Sequence, residues 1–377
     1  MPRILTIGHS YCVALNRRLA DEMHRRCPPG WTVEAAAPAF FHGDLRPVPF
    51  EPSPPGGAET TQLRVFGSRS PHAFVYHPKA LGLLRRGWDL VHVWEEPYVL
   101  SGAELVLGAP AETKLVLSTA QNLDKRYPPP FSWLERAVLR RCDGFVAFGR
   151  TVADCLARRP AFRGQSVSTI AMGVDLALFR PDPEAGAAVR ASLGWAPEGA
   201  PVIGYLGRMA ESKGLPMLLR AMDALDAPWR ALFVGDGPMR AEVEAWGQRH
   251  GDRVRVAPPV HHEDVPRYLS AMDLLCAPSQ TTPTWMEQFG RMLSEAMACG
   301  VPVIGSDSGE IPHTIGDAGL VVGEKDQAGW TAAMDELLRA SARRDALREA
   351  GLARARERFG WEAVADAHLE AFERVLG

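Results

Sequence analysis

Short apolar runs recur along the chain, each followed by a stretch whose apolar positions return every three or four residues. In the first half "RILTIG" precedes a helical pattern over 12–26, "DLVHVW" one over 99–108, "KLVLSTA" one over 131–142 and "GFVAFG" one over 150–158. Runs this short and this apolar suit strands buried on both faces, so strands alternating with helices predict a parallel sheet with helices on either side. The pattern stops in "RPDPEAGAAVRASLGWAPEGAP" at 180–201, whose Pro, Gly and Ala read as an interdomain linker. It resumes with "VIGYLG", "ALFVG", "RVRVA", "LLCAP", "VPVIGS" and "GLVVG", again with helices between. The fold class is therefore α/β, with two Rossmann-like doubly wound domains facing a central cleft. The predicted boundaries are 1–178 for the first domain, 179–200 for the linker, 201–358 for the second domain and 359–377 for a last helix. That helix carries Trp361, Val364, Leu369 and Phe372 and is predicted to return to the first domain; "EPSPPGGAE" at 51–59 reads as a loop.

Composition agrees with two cores, at 377 residues and 46% hydrophobic. The six cysteines show no Cys-x-x-Cys spacing, so neither a zinc site nor a disulfide framework is indicated and no metal ligands are assigned. No apolar run approaches the roughly 20 residues that span a bilayer, and the start "MPRILTIGHS" has no signal-peptide core, which predicts a cytoplasmic protein. The net charge of -3 divides unevenly: residues 1–175 hold 21 Lys and Arg against 16 Asp and Glu, and residues 176–377 hold 21 against 29. Part of the first excess lies in Arg17, Arg18, Arg25 and Arg26 on one predicted helix and in Arg136, Arg140 and Arg141 on another. Helical spacing lets each set share a face, which predicts weak peripheral contact with anionic lipid at the inner face of the membrane; solvated surfaces are the competing reading. No nucleic-acid partner is expected.

Chemistry concentrates in the second half. In "GYLGRMAESKGL" a strand delivers Gly207, then Arg208 and Lys213 before Gly214 and a helix. A glycine that admits a ligand and two cations at a strand's carboxyl end suit a diphosphate, although surface charges are the plainer reading. "FVGDGP" reads as a tight turn with Pro238 opening a helix, and no Gly-x-Gly-x-x-Gly follows "RILTIGHS", which disfavours a dehydrogenase. The stretch "QTTPTWMEQFGRMLSEAMACG" places Glu287 and Glu295 around a Phe-Gly turn, with a helix predicted from Gly290 to Cys299. Eight residues of helical rise span about 12 Å, comparable to the distance from a nucleotide's ribose to a sugar on its diphosphate. Arg291 falls in the first turn, where it opposes the helix dipole by about 0.3–1 kcal/mol, unless an anion binds there. A surface pair between Arg291 and Glu295 is the alternative.

These motifs, in the order "MGVD", "GYLGR", "GDGP", "APS", "EQFGRMLSEAMACGVPVI" and "GLVV", resemble the family 4 retaining glycosyltransferases of the two-domain GT-B fold over nearly the whole second half. The first half is similar more loosely, through "LTIGHS", "DLVHVWEEP" and "STAQNLDKRYP". The resemblance implies that Arg208 and Lys213 bind the donor phosphates and stabilise the departing nucleoside diphosphate, with Gly207 admitting the ligand. It implies that Glu287 holds sugar hydroxyls and acts with Arg208 and Lys213 in catalysis. Gln288, Phe289, Gly290 and Arg291 would line the donor between the two carboxylates, and Glu295 would take the ribose. Gly8, His9 and Ser10 would face the diphosphate, and Glu95, Glu96, Gln121 and Asn122 are candidates on the acceptor side. Two departures stand out: Gly8-His9 replaces a double glycine, and Gln121 stands where many members have His. Gln121 can hold a sugar hydroxyl or anchor its own loop, but it cannot exchange a proton.

The implied reaction transfers a hexose-type sugar from a UDP- or GDP-linked donor to a hydroxyl of a glycan, lipid-linked or small-molecule acceptor. No further cofactor is called for, and fixed cations at the leaving group lower the barrier without proton transfer. An epimerase or phosphorylase on the same fold, or a binding module without activity, remains open; phosphate-dependent turnover and donor hydrolysis separate them.

Overall fold

The run Arg3–Gly8 forms the pivot of the first sheet, with Leu90–Trp94 on one side and Thr32–Pro38 on the other, all parallel. This is a computed structural model that describes residues 1–42, 47–53, 55–196 and 199–377. The chain divides into two units, Met1–Gly173 with Trp361–Gly377, and Val174–Gly360. In the first unit the sheet continues outward from Leu90–Trp94 through Lys114–Thr119 and Gly144–Ala147 to Ser166–Thr169, and beyond Thr32–Pro38 to Thr60–Leu63. Alternate residues point to opposite faces of a strand, and the cores follow that rule. Leu5, Ile7, Val91, Val93, Leu115, Leu117 and Phe145 fill one face; Ile4, Leu90, Val116 and Val146 fill the other. The second face is closed by the helix Ala14–Arg26 and by the C-terminal helix Trp361–Leu376, which supplies Trp361, Val364, Leu369 and Phe372. The approach is tight, since a Cβ on Gly173 would lie 2.1 Å from the Trp361 ring.

On that face His92 binds Thr6 Oγ1 through Nδ1 at 2.8 Å and Ser118 Oγ through Nε2 at 2.7 Å. The ring of His368 from the C-terminal helix packs edge-on to it, 5.6 Å away. Burial disfavours the charged imidazole, pushing His92 well below the ordinary histidine value and His368 down to about 4.

The second unit repeats the architecture with six parallel strands in the order Val254–Ala257, Arg230–Val234, Val202–Leu206, Leu274–Ala277, Val303–Ser306 and Gly319–Val322. Val202–Leu206 is the first strand of this unit yet lies in the middle of its sheet, so connections leave it in both directions. Its carboxyl end is the topological switch point, where doubly wound sheets bind ligands.

The predicted linker is corrected. Residues Pro183–Ser192 form a helix of the second unit, opened by Pro183 and capped by Asp182, whose Oδ1 accepts from Ala185 N at 2.9 Å. Proline suits a first helical turn, and Gly186 lets the helix approach Ser270, whose carbonyl oxygen lies 2.2 Å from where a Cβ would stand. The same residues that suggest a chain break thus serve a packed helix. The strands Thr32–Pro38, Thr60–Leu63 and Ser166–Thr169 were not read from the apolar pattern; Ser166–Thr169 and Thr60–Leu63 are edge strands with partly exposed residues.

Candidate functional site

At the switch point of the second unit, Gly207 follows its strand with φ +143°, a conformation side-chain-bearing residues rarely adopt. Gly235, from the neighbouring strand's turn, packs so closely that a Cβ would stand 2.0 Å from Gly207 O. Met209 N donates to Asp236 O at 2.7 Å, so "GDGP" is the brace of the Gly207–Met209 loop. Arg208 is exposed on this loop, and its guanidinium has no hydrogen-bond or ion-pair partner among the described residues. Its carbonyl accepts from Tyr205 OH at 2.7 Å, which fixes the backbone beneath the free cation.

Lys213 is held differently. Its Nζ lies 2.7 Å from Glu287 Oε2 and 4.3 Å from the centre of the Trp285 ring. Gly214, with φ +74°, ends the turn where a Cβ would strike Pro278 O at 1.7 Å. Glu287 is 8% exposed and also accepts from Ser279 Oγ at 3.0 Å, while its backbone carbonyl accepts from Glu310 N at 3.0 Å. The carboxylate is thus fixed on both its side chain and its backbone. Its charge adds to burial in raising Tyr205, which places Tyr205, Arg208 and Glu287 in one neighbourhood.

Gly290, at φ +77°, turns the chain into the helix Arg291–Ala298. Phe289 anchors the turn: its ring is buried against Phe359 at 5.8 Å and its carbonyl accepts from Thr314 Oγ1 at 2.7 Å. Gln288 is exposed beside it. The helix starts next to the Gly207–Met209 loop, since Met292 Cε lies 3.8 Å from where a Cβ on Gly207 would stand. The positive end of the helix dipole there suits an anion. Glu295, 5% exposed, accepts from His262 Nε2 at 2.8 Å. The structure therefore brings Gly207, Arg208, Lys213, Glu287, Gly290, Arg291 and Glu295 together in the second unit.

In the first unit Gly8 is extended and its α-carbon faces strand Leu90–Trp94, where a Cβ would meet Trp94 O at 2.8 Å. Glu95, 2% exposed, accepts from His9 N at 2.8 Å and Tyr76 OH at 2.9 Å, and its Oε2 lies 2.7 Å from His9 Nδ1. Two residues expected at opposite substrates are thus bonded to each other. Glu96 accepts from Thr119 Oγ1 at 2.6 Å and Ala120 N at 2.8 Å, and burial raises it above the ordinary glutamate value. Gln121 donates to Tyr127 OH and accepts from Leu123 N, both at 2.9 Å, so its amide anchors its own loop. Asn122 is buried, and Ser10 Oγ is buried without a hydrogen-bond partner among the described residues.

The expected basic face on the helix Ala14–Arg26 is corrected too. Arg17 is fully buried over the Phe50 ring and donates to Tyr11 O, Glu51 O and Ser53 Oγ. Arg18 and Arg25 pair with Glu22, Arg26 pairs with Asp366, and Arg141 donates to Pro110 O and Thr113 O. Arg136 and Arg140 stay exposed. Sequence reasoning missed Ser279, Trp285 and His262 as partners of the site. Ser279 lay within the quoted "APS", but His262 bonds a residue 33 positions away, and no local spacing announces that.

Residues 200–340 match the model of a family described as "Glycosyl transferases group 1". A D-inositol 3-phosphate glycosyltransferase of Xylanimonas cellulosilytica is 32% identical over 64% of this chain and 59% of that protein, so the match spans about three-fifths of the relative's length. One of the same description from Jonesia denitrificans is 32% identical over 77% of this chain and 69% of its own. Among solved structures, Anabaena HepE in complex with UDP superposes with a TM-score of 0.73 at 18% identity, covering 99% of this chain and 100% of that one. That likeness shows the GT-B fold, and no helix among the described residues is long and apolar enough to cross a membrane. Two doubly wound domains and a relative that is 32% identical and matched over 69% of its own length agree: the chain belongs to the group 1 glycosyltransferases.

Proposed function

We propose that this chain is a retaining glycosyltransferase that moves a hexose-type sugar from a nucleoside-diphosphate donor, with UDP favoured as the nucleotide. The observation that carries the reading is the gathering, within one domain, of an Arg208 without a partner among the described residues, the Lys213–Glu287 pair at 2.7 Å and the start of the helix Arg291–Ala298. HepE binds UDP and UDP-glucose in its own structures, which supports the choice of nucleotide.

Arg208 and the helix start receive the diphosphate, where negative charge grows as the bond from the sugar's anomeric carbon to the phosphate oxygen breaks. Lys213 serves both ends: it neutralises that charge and holds Glu287, which accepts hydroxyls of the sugar. The acceptor's hydroxyl proton passes to the departing phosphate oxygen while its oxygen bonds the anomeric carbon on the face the phosphate leaves, so configuration is kept. Arg208 and Lys213 supply the charge stabilisation a divalent ion would otherwise give, and we propose that turnover needs no metal. The acceptor is a glycan, lipid-linked or small-molecule hydroxyl.

A thermal-shift panel of UDP, GDP and ADP with their hexose conjugates tests the donor class. A ligand at 100 times its dissociation constant adds about 2.7 kcal/mol to stability. Stabilisation by UDP and its sugars is expected; no response to any nucleoside diphosphate contradicts the proposal.

A further inference from the structure

His262 opens the short turn His262–Asp264 that follows the strand Val254–Ala257, and nothing in the proposed chemistry uses it. Its Nε2 reaches Glu295 Oε1 at 2.8 Å. Among the described residues this is the sole hydrogen-bond partner of the Glu295 carboxylate, on a side chain that is 5% exposed. An ionised carboxylate only accepts, so Nε2 carries the hydrogen and the tautomer is fixed by the pairing. The imidazole is in turn restrained by Phe179, whose buried ring lies 5.0 Å away at 50°. Phe179 is tied down through its backbone N, which donates to Asp175 O at 2.7 Å.

Resting on the proposed assignment of Glu295 to the donor's ribose, we infer that His262 is a positioning residue that sets how this protein reads a ribonucleotide. A carboxylate offers about four lone-pair sites. His262 occupies one of them on Oε1 and stops rotation about the last side-chain torsion, leaving the remaining sites aimed at the neighbouring 2′- and 3′-hydroxyls. A glutamate held this way loses less rotamer freedom when the nucleotide arrives, so more of each hydroxyl bond appears as affinity. Selectivity for ribose over deoxyribose thus belongs to the His262–Glu295 pair.

The test is calorimetry on the full chain with UDP, 2′-deoxy-UDP and inorganic pyrophosphate, for the wild type, His262→Leu, His262→Gln and Glu295→Gln. The wild type is expected to prefer UDP over 2′-deoxy-UDP by about tenfold or more, the scale of one hydrogen bond to a charged group. His262→Leu should bring that ratio to within about twofold without changing pyrophosphate affinity, and His262→Gln, whose amide nitrogen reaches the Nε2 position, should restore most of it. Equal loss of UDP and 2′-deoxy-UDP in His262→Leu, with the ratio kept, overturns the inference and leaves His262 a packing residue. A wild type that binds neither UDP nor pyrophosphate, or a Glu295→Gln variant that keeps the full ratio, overturns instead the reading on which it rests. Should His262→Leu fail to fold, Phe179→Leu frees the same ring, and an unchanged ratio there is equally fatal.

Discussion

The two domains share a topology and use the carboxyl ends of their sheets in opposite ways. In the first, polar groups are consumed internally: Glu95 takes three hydrogen bonds from His9 and Tyr76, Glu96 two from Thr119 and Ala120, and Gln121 closes its own loop. In the second, Arg208 has no partner among the described residues and Glu295 has one. A fold supplies the platform, and function depends on which polar groups it leaves for a ligand.

The sharpest way to break this contrast is to remove one group from each domain. Glu95→Ala would strand His9 N, His9 Nδ1 and Tyr76 OH without their acceptor, and unpaired buried donors cost about 1–3 kcal/mol each. Denaturant unfolding should show a loss of about 3 kcal/mol or more; a loss within about 0.5 kcal/mol would make Glu95 a surface group after all.

Acid should separate the domains as well. His368, held down to about 4, and His92, also lowered, stay neutral in the folded first domain while unfolded histidines titrate near 6.5. The unfolded state therefore binds more protons below that value, so stability is full above about pH 6.5 and is lost as pH falls toward 4. The His368 shift alone corresponds to about 3 kcal/mol, and His368→Gln should flatten the dependence. Hydrogen exchange at pH 7 and pH 4.5 resolves it: exchange that rises no more in the first domain than in the second contradicts the assignment.

Arg208→Ala should lower turnover by about 100-fold, near 2.7 kcal/mol, with an unchanged melting temperature. Near-normal turnover would return Arg208 to the class of ordinary surface charges. A smaller effect separates the carboxylates. Glu295→Gln should weaken free UDP by about tenfold, the worth of a charge-assisted bond, while Glu287→Gln leaves UDP affinity intact and impairs transfer. Equal weakening by both changes would show that ribose and sugar ends are misplaced. The smallest concerns Arg291, whose first-turn position costs about 0.3–1 kcal/mol. Arg291→Ala should stabilise the ligand-free chain slightly and still reduce donor affinity; a less stable chain with unchanged kinetics favours a structural ion pair.

What the sequence revealed follows the same division. Arg208 was legible as a candidate because a strand, a glycine and a second cation fall within a few residues, and Glu287 and Glu295 as candidates because a turn and a helix lie between them. Arg17 was not. Its helical spacing matched a solvated face, but the carbonyls of Tyr11 and Glu51 and the hydroxyl of Ser53 come from loops that periodicity does not describe. His262 escaped because its partner is distant in sequence, and Pro183–Ser192 because proline and glycine signal breaks unless the helix start and the packing partner are known. Apolar pattern specifies strands and the faces they bury; long-range polar pairing leaves no local trace.

The most direct measurement follows the anomeric proton by nuclear magnetic resonance as the wild-type chain consumes UDP-glucose in excess chelator, reading the first product before it mutarotates. Loss of donor with an α-configured first product, slowed about 100-fold by Arg208→Ala, is the outcome the proposed reaction predicts. A β-configured first product, or turnover that stops with the chelator and returns with a divalent metal, would contradict it.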